Sequence, residues 1–305
     1  MRKVRRTLIY TFFAACLIIM LISISCSTAP KNPGDIYTLR SNAEAMLEAA
    51  NKDAGRGNFK NALLLLDQCK RIAILTDDSS LIIRSCLSRG NVLLTGKKTD
   101  DAFAEWKFAI DEAQRFGNAE LLSVSKIFRA RGNLVSGRAE AQAVLDEVNR
   151  ESANIKNDRL YIAFSWQVKG LALRALGLSY SEDAVKRSLA YREAEDAVKR
   201  SLEIHERDRY LENASYDWYV IASIRSLAGD TTGALAALDT SMELDRRIEN
   251  SWGLAASWRA KGDVFRKAGR NSEADDAYRR ALAIYLAIPN KNEAAETERR
   301  MRNGE

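Results

Sequence analysis

A single histidine, His205, is all that the chain offers to imidazole chemistry, and no cysteine lies near it at ligand spacing. That scarcity removes the ordinary zinc sites. His205 falls in a charged helical stretch, so its expected place is the surface. Absent too are a G-x-S-x-G elbow, an H-E-x-x-H helix and a dinucleotide-binding fingerprint. Gly96-Lys97-Lys98-Thr99 falls short of a phosphate loop, because Gly90 is one residue too far back and no strand pattern precedes it. Asp100-Asp101 and Asp275-Asp276 are paired acids that read as helix-starting or exposed residues. These absences argue against an enzyme, and no cofactor is implied. Proline is scarce as well, with 3 in 305 residues, so few points force a helix to stop. The 46% of hydrophobic residues is enough to bury a large core, and the composition is that of a helical protein.

Positive charge is concentrated at one end. Arg2, Lys3, Arg5 and Arg6 precede an uncharged run from Thr7 to Ser25 that ends at Cys26. A basic start, an apolar middle and small residues near a cleavage point are the parts of a secretory signal. With a cysteine where cleavage would leave it first, the segment resembles a bacterial lipoprotein signal. The resemblance implies a diacylated Cys26 and a lipid anchor. Ser23 stands where the usual box has Leu, so only a relaxed form of that box is met. The other reading is an uncleaved anchor, since Leu8 to Ser25 is near the lower limit for spanning a bilayer. Removing residues 1–25 takes away four positive charges and lowers the formal net charge from +6 to +2. A nucleic-acid partner thereby loses its electrostatic footprint. Of the other cysteines, Cys69 and Cys86 could pair in an oxidising periplasm or serve as buried apolar fillers.

The rest of the chain is organised around a recurring pattern that is clearest from Ala255 to Ala281. Trp258, Gly262, Phe265, Gly269, Ala274, Tyr278 and Ala281 alternate large and small residues as two antiparallel helices would need. Trp258 and Phe265 share a face, Gly262 allows close approach and Gly269 opens the turn. This stretch resembles the tetratricopeptide repeat, a helix-turn-helix unit. The small-residue landmark recurs at Ala50, Gly90, Gly132, Gly170, Ala222 and Gly262, a period of about 40 residues. Turn glycines accompany it at Gly57, Gly96, Gly137, Gly177, Gly229 and Gly269. One interval is longer because EDAVKRSL occurs at Glu182–Leu189 and again at Glu195–Leu202. In one straight helix the two copies would sit about 220° out of phase, so they cannot share a face. The second copy is expected in the packed helix, with the first extending or bulging from the preceding turn.

The expected organisation is a signal peptide over 1–25, a flexible tether over 26–38, an all-α solenoid of about six hairpins over 39–289 and a polar helix or tail over 290–305. By the family resemblance, first helices line a concave groove, and the residue after each landmark faces it. That register predicts a partner-binding groove with Asn51, Arg84, Asn91, Lys126, Arg129 and Asn133 in its first half. The amides suit a peptide backbone and the cations suit a carboxylate. Leu47 occupies the place of the first lysine of a carboxylate clamp, so chaperone-tail binding is not implied. Tyr216 and Tyr219 give the later half aromatic residues, either as anchors for a partner or as packing between helices.

The partner so implied is a protein or peptide, with the membrane engaged through the lipid and no nucleic acid; a homo-oligomer is compatible with the pattern. The expected setting is the cell envelope, facing the periplasm. Ser27 after Cys26, in place of an acidic residue, tilts the expectation toward the outer membrane. Two other readings remain: a transporter-associated component binding a small hydrophobic ligand in a closed apolar cavity lined by Trp166, Tyr216, Trp218 and Tyr219, and a purely structural scaffold.

Overall fold

The computed structural model describes residues 38–288 and 291–302. The expected signal segment, Cys26 and nearly all of the tether lie outside the described residues. The chain divides into two units, residues 1–41 and 42–305. Of the first, only Thr38–Ser41, the opening turn of a helix, is described. The second is an all-α solenoid, and among the described residues no strand occurs.

Thirteen helices follow one another as α1 (Thr38–Gly55), α2 (Phe59–Leu75), α3 (Ser79–Thr95), α4 (Thr99–Arg115), α5 (Ala119–Val135), α6 (Ala141–Ser152), α7 (Arg159–Ser179), α8 (Ala184–Arg207), α9 (Leu211–Ala228), α10 (Thr231–Arg247), α11 (Ser251–Lys267), α12 (Asn271–Ala287) and α13 (Lys291–Arg302). Consecutive helices pair into six hairpins, and α13 closes the end. Among the described residues no helix is long and apolar enough to cross a membrane.

The turns share one chemistry. A left-handed residue ends each of nine helices: Gly57, Asp77, Lys97, Gly117, Gly137, Arg209, Gly229, Glu249 and Gly269. The residue after it donates its N–H to a carbonyl five positions back, as Asn58 does to Asp53 and Asn250 to Asp245. That bond satisfies a free carbonyl at the helix end and reverses the chain in two residues. Asp78, Asn118, Asp230 and Asn250 then cap the next helix with a side-chain oxygen. Gly96 is not the left-handed residue of its turn, because Lys97 is. Gly177 lies inside α7 and is not a turn residue; a methyl there would sit 2.3 Å from a Tyr191 ring carbon, so its smallness serves close packing.

Landmark glycines work the same way. A methyl on Gly262 would lie 2.5 Å from the Tyr278 ring, and one on Gly90 would lie 2.2 Å from Trp106 Nε1. Trp106, on α4, is fully buried between Gly90 of α3 and Gly132 of α5, and its indole N–H donates to the Leu87 carbonyl at 3.3 Å. Helices α3, α5 and α7 begin 40 residues apart, at Ser79, Ala119 and Arg159. The equivalent of Gly90 on α5 is therefore Ala130, and Gly132 is a second small residue that receives the far edge of Trp106. The expected register slips by two residues in this hairpin.

From Ala184 onward the two copies of the octapeptide run in one continuous helix, α8, with no bulge, and Asp183 of the first copy caps it. Val198 and Leu202 of the second copy are buried, whereas Val185 and Leu189 of the first are 79% and 42% exposed. The phase argument holds, and the first copy lengthens the helix. His205 is a correction. It is fully buried, because Ala194, Val198, Ser201 and His205 continue one stripe of α8. Its Nδ1 lies 2.6 Å from Asp217 Oδ2, which also accepts from Ser201 Oγ at 2.9 Å, while Gln167 donates to Oδ1 at 2.8 Å. Serine and carboxylate meet the same ring nitrogen, which is not the order of a proton relay. Cys69 and Cys86 are buried free thiols, and burial foremost pushes them up to about 11 and about 12.

Helix α13 is less solvated than its composition predicts. Ala294 and Thr297 are buried against the solenoid, and Arg259 holds Glu293 at 2.6 Å.

Candidate functional site

The inner helices curl far enough for the two ends of the solenoid to meet. Phe59, at the start of α2, packs edge-on against Trp252 at the start of α11, with ring centroids 4.9 Å apart. Arg56 pairs with Glu249, and Lys97 Nζ lies 3.2 Å from Glu293. Gly57 presses on Ile288, where a methyl would come within 2.2 Å of Cγ2.

Inside lies a partly enclosed cavity of about 570 Å³, within the range of about 300–1,000 Å³ usual for ligand sites. Five of the eight residues expected at the groove line it: Asn51, Arg84, Asn91, Tyr216 and Tyr219. Arg131 donates to Asn91 Oδ1 at 3.3 Å, and its guanidinium lies 5.9 Å from the Tyr216 ring centre. Tyr216 in turn stacks with Tyr219 at 6.1 Å. Across the cavity, Trp252 meets Tyr285 edge-on at 5.5 Å.

The other three expected residues are elsewhere, which corrects the predicted groove. Lys126 donates to Glu151 at 3.0 Å and Arg129 to Glu147 at 3.3 Å, both toward α6 within their own hairpin. Asn133 is half-buried and outside the cavity wall. All three were placed through Gly132, and the two-residue slip turns them away. Residues 51, 91 and 131 stand 40 apart, so the helix starts would have pointed to Arg131 and Phe128, which do line the cavity. Trp166 and Trp218 lie outside the wall: Trp166 is flanked by Arg200 at 4.6 Å and Lys169 at 5.1 Å, and Trp218 donates to Glu206.

One part of the wall carried no signal in the sequence. Glu212, Asn213 and Ser215 come from the first coils of α9, Asp245 from the last turn of α10 and Asn250 from the turn before α11, and curling brings Gly55 of α1 against Glu212 and Asn250. Ser215 Oγ donates to Asp245 Oδ1 at 2.6 Å and Asn250 Nδ2 donates to the same oxygen at 2.8 Å. Asp245 is buried, and burial pushes its carboxyl up to about 6 against those two bonds. Glu212 is an exposed residue of the cavity wall with protein packed around it. That desolvation, with the nearby charge of Asp245, raises it to about 7.

Among the described residues, buried side-chain atoms without a hydrogen-bond partner include Arg131 Nε, Asp245 Oδ2 and the Tyr285 hydroxyl. All three residues belong to the cavity wall. A buried polar atom left unmatched is costly, so its usual partner is water or a ligand.

Residues 212–287 match the tetratricopeptide-repeat family. No curated protein matches. Among solved structures, the chain is similar to a Rap protein complexed with competence and sporulation factor, with a TM-score of 0.56, 15% identity and coverage of 86% of this chain and 74% of that one. It is also similar to BtubC from P. vanneervenii, with a TM-score of 0.49, 13% identity and coverage of 81% and 92%. The TPR2AB domain of yeast Sti1 in its pHSP90 complex scores 0.33 at 13% identity, over 87% and 98% of the two chains. At 15% identity the likeness to the Rap protein is one of fold, that of a tetratricopeptide-like all-α solenoid.

Proposed function

We propose that this chain is a membrane-anchored scaffold of the cell envelope that holds a peptide, or an extended segment of a partner protein, in its central cavity. The wall carries this reading. Asn51, Asn91, Asn213 and Asn250 offer amide donors and acceptors to a peptide backbone, and Tyr216, Tyr219, Phe59 and Trp252 offer ring surfaces to its side chains. A cavity for a purely hydrophobic ligand would not be lined by Arg84, Arg131, Glu212 and Asp245, each of which pays for desolvation when an apolar group covers it. The Rap protein of like fold is complexed with competence and sporulation factor, which agrees with a bound partner. The anchor rests on the sequence alone: the basic, apolar and small-residue pattern that ends at Cys26 supports a lipid-anchored solenoid facing the periplasm, and Ser27 after it favours the outer membrane over the inner.

Photocrosslinking in intact cells tests the site. A crosslinking residue in place of Tyr216 captures a partner, and the same residue in place of Val185, on the outer surface, does not. Asn91→Ala with Arg131→Ala reduces that capture about tenfold. Equal capture from both positions, or capture indifferent to the double substitution, removes the cavity from the function. Mass spectrometry of the mature amino terminus checks the anchor separately, and an unmodified or uncleaved Cys26 overturns it.

A further inference from the structure

We propose that the cavity recognises a cation, a primary ammonium or guanidinium group carried by the bound peptide, between Glu212 and Asp245. For the carrier the proposal rests on the peptide-binding reading; for the site it rests on the wall itself. Two carboxylates face one confined space, and among the described residues no cation stands within ion-pair distance of either. The cavity arginines do not fill the role: Arg259 is held by Glu293, Arg84 pairs with Glu44 at 3.9 Å, and Arg131 lies against Asn91 and Tyr216.

Asp245 supplies the second, independent observation. It is 99% buried, Oδ1 takes both of its hydrogen bonds, and Oδ2 has none. A carboxylate in that state lacks half its acceptor capacity, and its neighbour Glu212 adds repulsion when both ionise. A single positive charge with N–H donors relieves both at once. The raised proton affinities of the pair are the same physics read with a proton as the cation. The surroundings fit an ammonium or guanidinium better than a bare metal ion. Asn250 is committed to Asp245 and to the Gly253 N–H, and Trp252 is an aromatic residue of the same wall.

Equilibrium dialysis of the full chain tests the proposal, with retained ligands read by mass spectrometry. The probes are random tetrapeptides with free amino termini, the same peptides acetylated, acetylated peptides without Lys or Arg, and spermidine alone. Retention is expected to favour peptides with a free amino terminus or a basic side chain. Acetylation separates those two sources. Glu212→Gln, whose side chain makes no hydrogen bond to the described residues, should keep the fold by circular dichroism and lower that preference about tenfold. Adding Asp245→Asn should abolish it. Retention without regard to charge overturns the cation site and leaves the peptide reading standing. Spermidine retained with no peptide upholds the site and overturns the peptide reading, and retention of nothing overturns both.

Discussion

Glu212 and Asp245 show what a side chain costs when the fold withdraws water and supplies no counter-charge. Packed protein around it, with the charge of Asp245 nearby, raises the Glu212 carboxyl from its ordinary 4.5 to about 7, although the residue itself stays exposed. A carboxyl raised in this way adds stability that is fully present below the unfolded value and is lost as pH rises through the folded one. Glu212→Gln removes that loss. The variant is expected to melt about 2 °C above the parent at pH 8, a modest gain because cavity water screens the charge. The difference should open between pH 4.5 and 7 and stay flat above. Melting curves across that range check it, and a constant offset at all pH values would assign the effect to packing. At this scale the sequence was a poor guide. Glu212 and Asp245 occupy helix-end positions that look solvated in one dimension, and His205 belongs to the same class of error, its single charged helix hiding a buried stripe.

Among the elements, α8 holds a controlled comparison. The run AVKRSL occurs twice on this helix, and burial separates the copies: Leu202 is 6% exposed and Leu189 42%. Leu202→Ala should destabilise by about 2–5 kcal/mol, the usual range for a core leucine, and Leu189→Ala by less than about 1 kcal/mol. Denaturant midpoints measured on the two variants decide it, and equal losses would show that both copies pack. The helical period was enough to foresee this difference. Thirteen residues do not complete a whole number of turns, whatever surrounds the helix. Register between hairpins was harder. Gly132 looks like the partner of Gly90 because both make room for Trp106, so two small residues with one function obscured a helix offset of 40. Lys126, Arg129 and Asn133 were misplaced for that reason alone.

The whole molecule closes through few contacts. Phe59 against Trp252, Arg56 with Glu249 and Lys97 with Glu293 join the first two hairpins to the last hairpin and α13. Exposed ion pairs contribute little, so the aromatic pair is the stronger part of the seam. Trp252→Ala is expected to open it. Amide exchange in α1 and α13 should quicken about tenfold while α4 and α5, at the Trp106 core, keep their protection. Faster exchange everywhere would mean that the substitution unfolds the solenoid and that the seam is no separate joint. What the sequence by itself determined was the all-α hairpin architecture and its period, together with which copy of the repeated octapeptide is packed. Those follow from helical geometry and from small residues opposite large ones within about 40 positions of chain. Only the tertiary structure decided where the curl ends. Each hairpin adds a small rotation set by its own side-chain packing, and the sum over six of them brings Arg56 to Glu249, 193 residues away, and encloses the carboxylate pair.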